Sequence, residues 1–159
     1  MTKMPDKRWF ILALFILALG GSLFIIGRRE RKLILYDADT KEIFASWRGD
    51  DGLHFSVEFI HSVNKSPVKD EFEIRNGEIY AYKTTYSSFG AGVQTELREG
   101  ESLSYDQEGN MVITGFNLKF DELNIIVGTV SDHIFSINGE EFSLTKLCGK
   151  NRAIVIDLR

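Results

Sequence analysis

With one cysteine, Cys148, the chain has no means of forming an internal disulfide. A domain outside the cytoplasm needs such staples only when its core is too small to hold it, and roughly 125 residues of β structure bury enough without them. Cys148 therefore reads as a small buried hydrophobe rather than a reactive thiol. There are only two prolines, and the 14 glycines are spread along the chain, which excludes collagen-like and linker-like stretches. The three histidines, His54, His61 and His133, are scattered and lack any HxH or HExxH spacing, so no metal centre and no cofactor is expected. The sequence also has no Gly-x-Ser-x-Gly elbow. Acidic pairs such as Asp50-Asp51 and Glu140-Glu141 lack the EF-hand pattern and read as solvated turn residues that discourage edge-to-edge strand pairing.

The hydrophobic fraction of 43% and charged fraction of 26% are those of a folded domain, not a disordered chain. The formal net charge of -4 hides an asymmetry. Residues 1–32 carry seven Lys/Arg and two acids, whereas residues 33–159 carry 12 basic against 21 acidic residues, a net of −9. An acidic globular part excludes nucleic acid as a partner, because phosphate binding needs clustered positive charge. The same charge would be repelled by anionic lipid, so the fold itself is not expected to lie on a bilayer.

One hydrophobic run stands out. Trp9 to Ile26 contains no charge and reaches the ~18–20 residues that span ~30 Å of hydrocarbon as a helix. Trp9 suits one interface, and Arg28, Arg29, Arg31 and Lys32 close the other. The favoured reading is an uncleaved signal anchor over residues 9–27, with residues 1–8 cytoplasmic and 28–32 a basic juxtamembrane linker. A cleaved signal peptide competes with it, since Ala18-Leu19-Gly20 is a small-x-small site. A buried core helix fits the uninterrupted run less well. Basic residues on both sides leave the positive-inside rule undecided, and the expected orientation, N-terminus inside, rests on export by the first apolar segment. The β domain, residues 33–159, is then extracytoplasmic on a single-pass cell-membrane protein.

After Lys32 the period changes to two. Leu53, Phe55, Val57 and Phe59 alternate with His54, Ser56, Glu58 and Ile60, the pattern of a half-buried strand. Residues 78–86, rich in Tyr and Thr, alternate similarly. Further runs cover 32–36, 43–47, 69–74, 102–105, 111–115, 124–130, 133–137, 141–144 and 153–158. Asn76-Gly77, Glu108-Gly109-Asn110 and Asn138-Gly139 separate runs as hairpin turns do. No sustained helical period occurs after residue 32. The spacing predicts an all-β domain, an antiparallel β-sandwich or barrel of about ten short strands, preceded by one N-terminal transmembrane helix.

Two stretches depart from strand-and-turn monotony, each at the end of a predicted strand: His61-Ser62-Val63-Asn64-Lys65-Ser66-Pro67-Val68-Lys69-Asp70-Glu71-Phe72 and Tyr86-Ser87-Ser88-Phe89-Gly90-Ala91-Gly92. Together they resemble the small bacterial family of domain of unknown function 1850, whose members show a His-Ser-Val-x-Lys-[Ser/Thr]-Pro-Val-x-[Glu] run followed by Ser-Phe-Gly-Ala-Gly. Either Asp70 or Glu71 is the counterpart of the motif's carboxylate. A proline that often follows the glycine motif is replaced here by Val93-Gln94-Thr95. The resemblance covers roughly residues 33–158. It implies an envelope-exposed accessory to a TRAP transporter of the TAXI type, since family members are often encoded beside such uptake systems for organic acids or amino acids. It carries no activity across.

The residues of the two stretches support two readings. Pro67 fixes its own φ and biases Ser66 to extended backbone, while Gly90 and Gly92 permit positive φ. Backbone N–H groups of such loops can form an anion nest, with His61, Lys65 and Ser88 adding donors. On that reading His61, Ser62, Lys65, Ser66, Pro67, Glu71, Ser88, Phe89, Gly90 and Gly92 hold a small anionic ligand such as a carboxylate. On the plainer one, His61 and Ser62 satisfy loop backbone, and Lys65 pairs with Asp70 or Glu71. Adjacent His61 and Ser62 point to opposite sides of a strand and make no nucleophile–base pair. The expectation is a non-enzymatic accessory or ligand-binding component of a TRAP-type transport system. A structural module of the envelope is the alternative, and an envelope hydrolase a weaker one.

Overall fold

The computed structural model describes residues 30–63, 65–87 and 96–159, and Arg31–Arg159 form one compact unit. The expected cytoplasmic segment 1–8, the anchor 9–27 and the start of the linker lie outside the described residues. Among those described, no helix is long and apolar enough to cross a membrane.

Hydrophobic alternation and turn chemistry make the chain almost wholly strand. In order it forms β1 (Lys32–Asp37), β2 (Ile43–Arg48), β3 (His54–Ile60), β4 (Pro67–Arg75), β5 (Glu78–Tyr86), β6 (Ser102–Tyr105), β7 (Met111–Thr114), β8 (Lys119–Phe120), β9 (Glu122–Ile126), β10 (His133–Ile137) and β11 (Glu140–Ser143). A single helical turn, α1 (Leu144–Cys148), then leads to β12 (Ala153–Leu158). Asn76 and Gly77 sit at φ 53° and 73°, and Asn138 and Gly139 at 54° and 79°. Both pairs supply the two positive φ angles of a tight type I′ hairpin.

All pairings are antiparallel, in two sheets. The narrower has the order β2-β1-β12-β9, and the eight-stranded one has the order β11-β10-β3-β4-β5-β7-β6 with β8 added beside β5. One core lies between them. Leu33, Leu35, Ile154, Ile156 and Leu123 from the narrower sheet meet Phe55, Val57, Phe72, Ile74, Phe135 and Ile137 from the wider. Trp47 stacks its ring 4.9 Å from Phe135, and Phe55 lies 5.3 Å from Phe72. A second cluster, Val68, Tyr86, Met111 and Ile113, belongs to β4, β5 and β7 alone, with Phe59 and Phe116 packed against it.

The expected all-β class and antiparallel pairing hold. Several local expectations do not. Residues 144–148 are helical, because Ser143 Oγ accepts the Lys146 N–H as an N-cap and one turn is too short to show a period. The strand expected over 124–130 begins at Glu122 and ends at Ile126, since Gly128 packs so closely on Ser131 that a Cβ there would lie 2.3 Å from its carbonyl oxygen. Glu140-Glu141 open β11 rather than forming its turn. The linker's last residue, Lys32, already pairs with Arg48 in the narrower sheet. Cys148 is buried as expected, and burial pushes its thiol up to about 11.

One buried charge ties this sheet together. Asp37, 1% exposed, accepts the backbone N–H groups of Thr40 at 2.8 Å and Asp39 at 2.9 Å, and Arg152 Nη1 donates to it at 2.8 Å. The Thr40 N–H leads in holding the Asp37 carboxyl at about 2, against desolvation and with help from Arg152. Its folded value lies below the ordinary ~3.9, so the stability it confers is complete above that value and is lost as pH falls toward 2. Asp37→Asn is therefore expected to lower the unfolding midpoint at pH 7, and the two proteins' midpoints should converge as the pH is taken from 4 to 2. Phe135 is fully buried. In denaturant titration Phe135→Ala should cost about 3–5 kcal/mol.

Candidate functional site

The first motif forms the β3–β4 connection. His61 N–H donates to the Ser66 carbonyl at 2.9 Å, and Lys65 N–H to the His61 carbonyl at 2.9 Å, which closes a tight loop with Lys65 at φ 54°. The His61 ring turns onto this loop, where Nδ1 accepts the Val63 N–H at 3.3 Å. Ser62 and Lys65 are exposed, Ser66 is partly buried, and Pro67 opens β4 at its exposed end. Glu71 does not reach Lys65, because its carboxylate is held 2.6 Å from Lys83 Nζ. Ser88, Phe89, Gly90 and Gly92 lie outside the described residues.

A cavity of about 700 Å³ opens between the sheets, alongside the motif strands. Its apolar walls come from three places. Val57, Phe59 and Phe72 project from the inner rows of β3 and β4, Leu123, Ile125 and Ile126 come from β9, and Phe116, Leu118 and Phe120 come from the segment joining β7 to β9. Ala81 of β5 forms the floor beside Phe72, and its N–H donates to the Leu118 carbonyl at 2.9 Å. Volume and lining are those of a small-molecule site.

Few polar side chains break this surface. Strand alternation along Val68-Asp70-Phe72-Ile74 puts Asp70 on the inner, apolar row of β4, opposite Val57 on one side and Thr84 on the other. Thr84 Oγ1 donates to Asp70 Oδ1 at 2.8 Å. Burial raises the Asp70 carboxyl, and the Thr84 hydroxyl offsets only part of that. Next to it β5 carries one extra residue, Tyr82, between Lys83 and Ala81, which shifts the β4–β5 register between Glu71 and Phe72.

His133 closes the end of the cavity next to Ile126. Its ring stacks on Phe59 at 5.3 Å, and Nδ1 accepts the Gly128 N–H at 3.2 Å. That bond requires the proton of the neutral ring to sit on Nε2. Burial lowers the His133 value, partly opposed by Asp132, which keeps the ring neutral near pH 7. The close approach at Gly128 thus has a use, since it aims the backbone N–H that fixes the ring. Glu122 and Arg98 stand at the outer wall, with Asn124 Nδ2 donating to Glu122 Oε1 at 3.1 Å.

Asp132 has a structural duty. Burial acts against its charge, but Ser143, Thr145 and the His133 N–H hold its carboxyl at about 2, which caps α1 and orients the start of β10. Among the described residues no group of three or more His, Cys, Asp and Glu is placed to hold a metal ion. The cavity was not anticipated from the sequence. Its one legible signal was Asp70, a charge placed in an otherwise apolar period-two row.

A family model described as a domain of unknown function, DUF1850, matches residues 55–144, which run from the second residue of β3 through β11 and include every described cavity residue. No curated protein and no solved structure matches the chain.

A carboxyl whose folded value is raised weakens the fold once it ionises. Asp70→Asn, which keeps an oxygen for Thr84, is expected to raise the thermal midpoint at pH 7 by a few degrees, on the order of 1 kcal/mol. The gain should shrink as the pH is lowered through the carboxylate range. An unchanged or lower midpoint at pH 7 would mean that Asp70 is a stabilising element.

Proposed function

Because the chain belongs to the DUF1850 family, whose description names no activity, we propose a function from the site itself: the domain is a non-enzymatic binding module that takes an amphipathic small molecule between its sheets. The observation that carries this is the cavity of about 700 Å³, aromatic on its walls and polar at a few points. The polar groups inside it are positioned to bind rather than to react. Thr84, the one hydroxyl at the wall among the described residues, donates a hydrogen bond to Asp70, and the acceptor nitrogen of His133 is occupied by Gly128. His133 therefore has no free acceptor with which to serve as a base, and Thr84 acts as the donor that orients Asp70.

The setting follows from the sequence. With residues 9–27 as a signal anchor and the β domain outside the cytoplasm, the module would stand beside the membrane. An accessory role in a TRAP-type organic-acid or amino-acid uptake system suits a small tethered binding domain. The His61–Val63 contact favours a second reading for the first motif, in which it shapes the β3–β4 loop and holds no anion.

The test is a thermal-shift screen of the full-length protein in nanodiscs against short-chain amphiphiles, keto acids, dicarboxylates and amino acids, with Ala81→Trp and His61→Ala alongside. A ligand at a hundred times its Kd should add about 2.7 kcal/mol. The expected result is a shift abolished by Ala81→Trp, which fills the cavity, and retained by His61→Ala. The reverse pattern would move the site to the loops and overturn the cavity reading.

A further inference from the structure

Two carboxylates face each other across β4, and they differ in one respect. Glu71, which also touches the cavity lining, has a cation, with Lys83 Nζ 2.6 Å away. Asp70, on the inner row, has only the neutral hydroxyl of Thr84 among the described residues. Lys83 is the adjacent cation on the paired strand, and Glu71 engages it. A carboxylate taken out of water without a countercharge is costly, and such groups are normally paired. The cavity side of β4 thus presents a negative charge that the protein leaves for something else to neutralise.

The surroundings specify what that is. Rings of Phe59, Phe72, Phe116 and Phe120 line the same space, and the face of an aromatic ring attracts cations. His133 contributes no competing positive charge, because its Nδ1 accepts a backbone N–H and its ring is neutral near pH 7. Glu122 adds another carboxylate at the far wall, with Asn124, an uncharged residue, as hydrogen-bond donor. Arg98 is the single cation at the cavity among the described residues, and it lies in an exposed stretch at the rim. An anionic head placed deep in this space would meet Asp70 without relief.

We propose, on the basis of the cavity reading above, that the ligand carries a protonated amine, which docks on Asp70 with its apolar body among the phenylalanines. The ammonium replaces the missing countercharge, and the Thr84 hydroxyl holds the carboxylate toward it. Arg98, exposed at the rim, stands where it can meet a second, anionic group on a longer ligand, so an amine bearing a distal carboxylate also fits.

Equilibrium dialysis of the full-length protein in nanodiscs tests this, with empty nanodiscs as the blank and three probes of equal chain length: n-hexylamine, 1-hexanol and hexanoate. The expected result is hexylamine bound roughly tenfold or more tighter than hexanol, with hexanoate weakest. Asp70→Asn should weaken hexylamine about tenfold and leave hexanol within about threefold. Thr84→Val, which keeps the charge, should preserve the preference for the amine. Hexanol or hexanoate bound as tightly as hexylamine, with all binding lost in Ala81→Trp, would overturn the amine assignment and leave the cavity reading intact. Binding of none of the three, or binding insensitive to Ala81→Trp, would overturn both.

Discussion

Two antiparallel sheets of unequal width share one core, and most of what is distinctive here depends on that mismatch. Four strands pack against eight. The narrower sheet covers the inner rows of β3, β4 and β10 with Leu33, Leu35, Ile154 and Ile156, but none of its residues joins the cluster formed by β4, β5 and β7. Side chains of a sheet must be covered by something, and a facing layer that stops short leaves a gap at its edge strand. That edge is β9, and the gap beside it is the cavity. The segment from Phe116 to Phe120 crosses it as a partial third wall, which is why the space is deep without being closed.

Within that gap, Asp70 violates the pattern that builds the rest of the sheet. Every other inner position of β4 is apolar, and a charge there works against the fold. Asp37, also largely shielded from water, shows the contrast. It is surrounded by N–H donors and Arg152, and its carboxyl is pulled down instead of pushed up. The buried acid, Asp37, is satisfied by the protein and serves structure, whereas Asp70 is partly buried. The latter is left with a single hydroxyl, and sites that break local consistency in this manner are where function concentrates.

Much of the architecture was readable from residues alone, for physical reasons. Period-two alternation marks strands wherever one face is buried, as at Phe55, Val57 and Phe59, and Asn-Gly pairs mark I′ turns because few other residues accept two positive φ angles. The strand Lys119–Phe120 was invisible because two residues carry no period, and the single turn at Leu144–Cys148 for the same reason. The site was legible only in part. Attention went to His61, Lys65 and Pro67, whose residue types are chemically suggestive, and the described part of that loop is occupied with its own backbone. The cavity depends on which strand of one sheet faces which strand of the other, and that is not a local property of any segment. The decisive residue, Asp70, sat within the quoted motif, yet only its row position revealed that it faces inward.

The order of strands in the narrower sheet also sets a schedule. Its centre pairs β1 with β12, and Asp37 reaches Arg152 across 115 positions of the chain. β9 joins that sheet only through β12. The hairpins of the wider sheet can close as soon as each emerges, since β3, β4 and β5 are sequential neighbours. Beyond its β1–β2 hairpin, the narrower sheet must wait until residues 153–158 arrive, and loop closure over such separations places its completion among the slow, topologically distant contacts. During that interval the inner faces of β3, β4 and β10 lack their cover, and a chaperone would find its longest opportunity there.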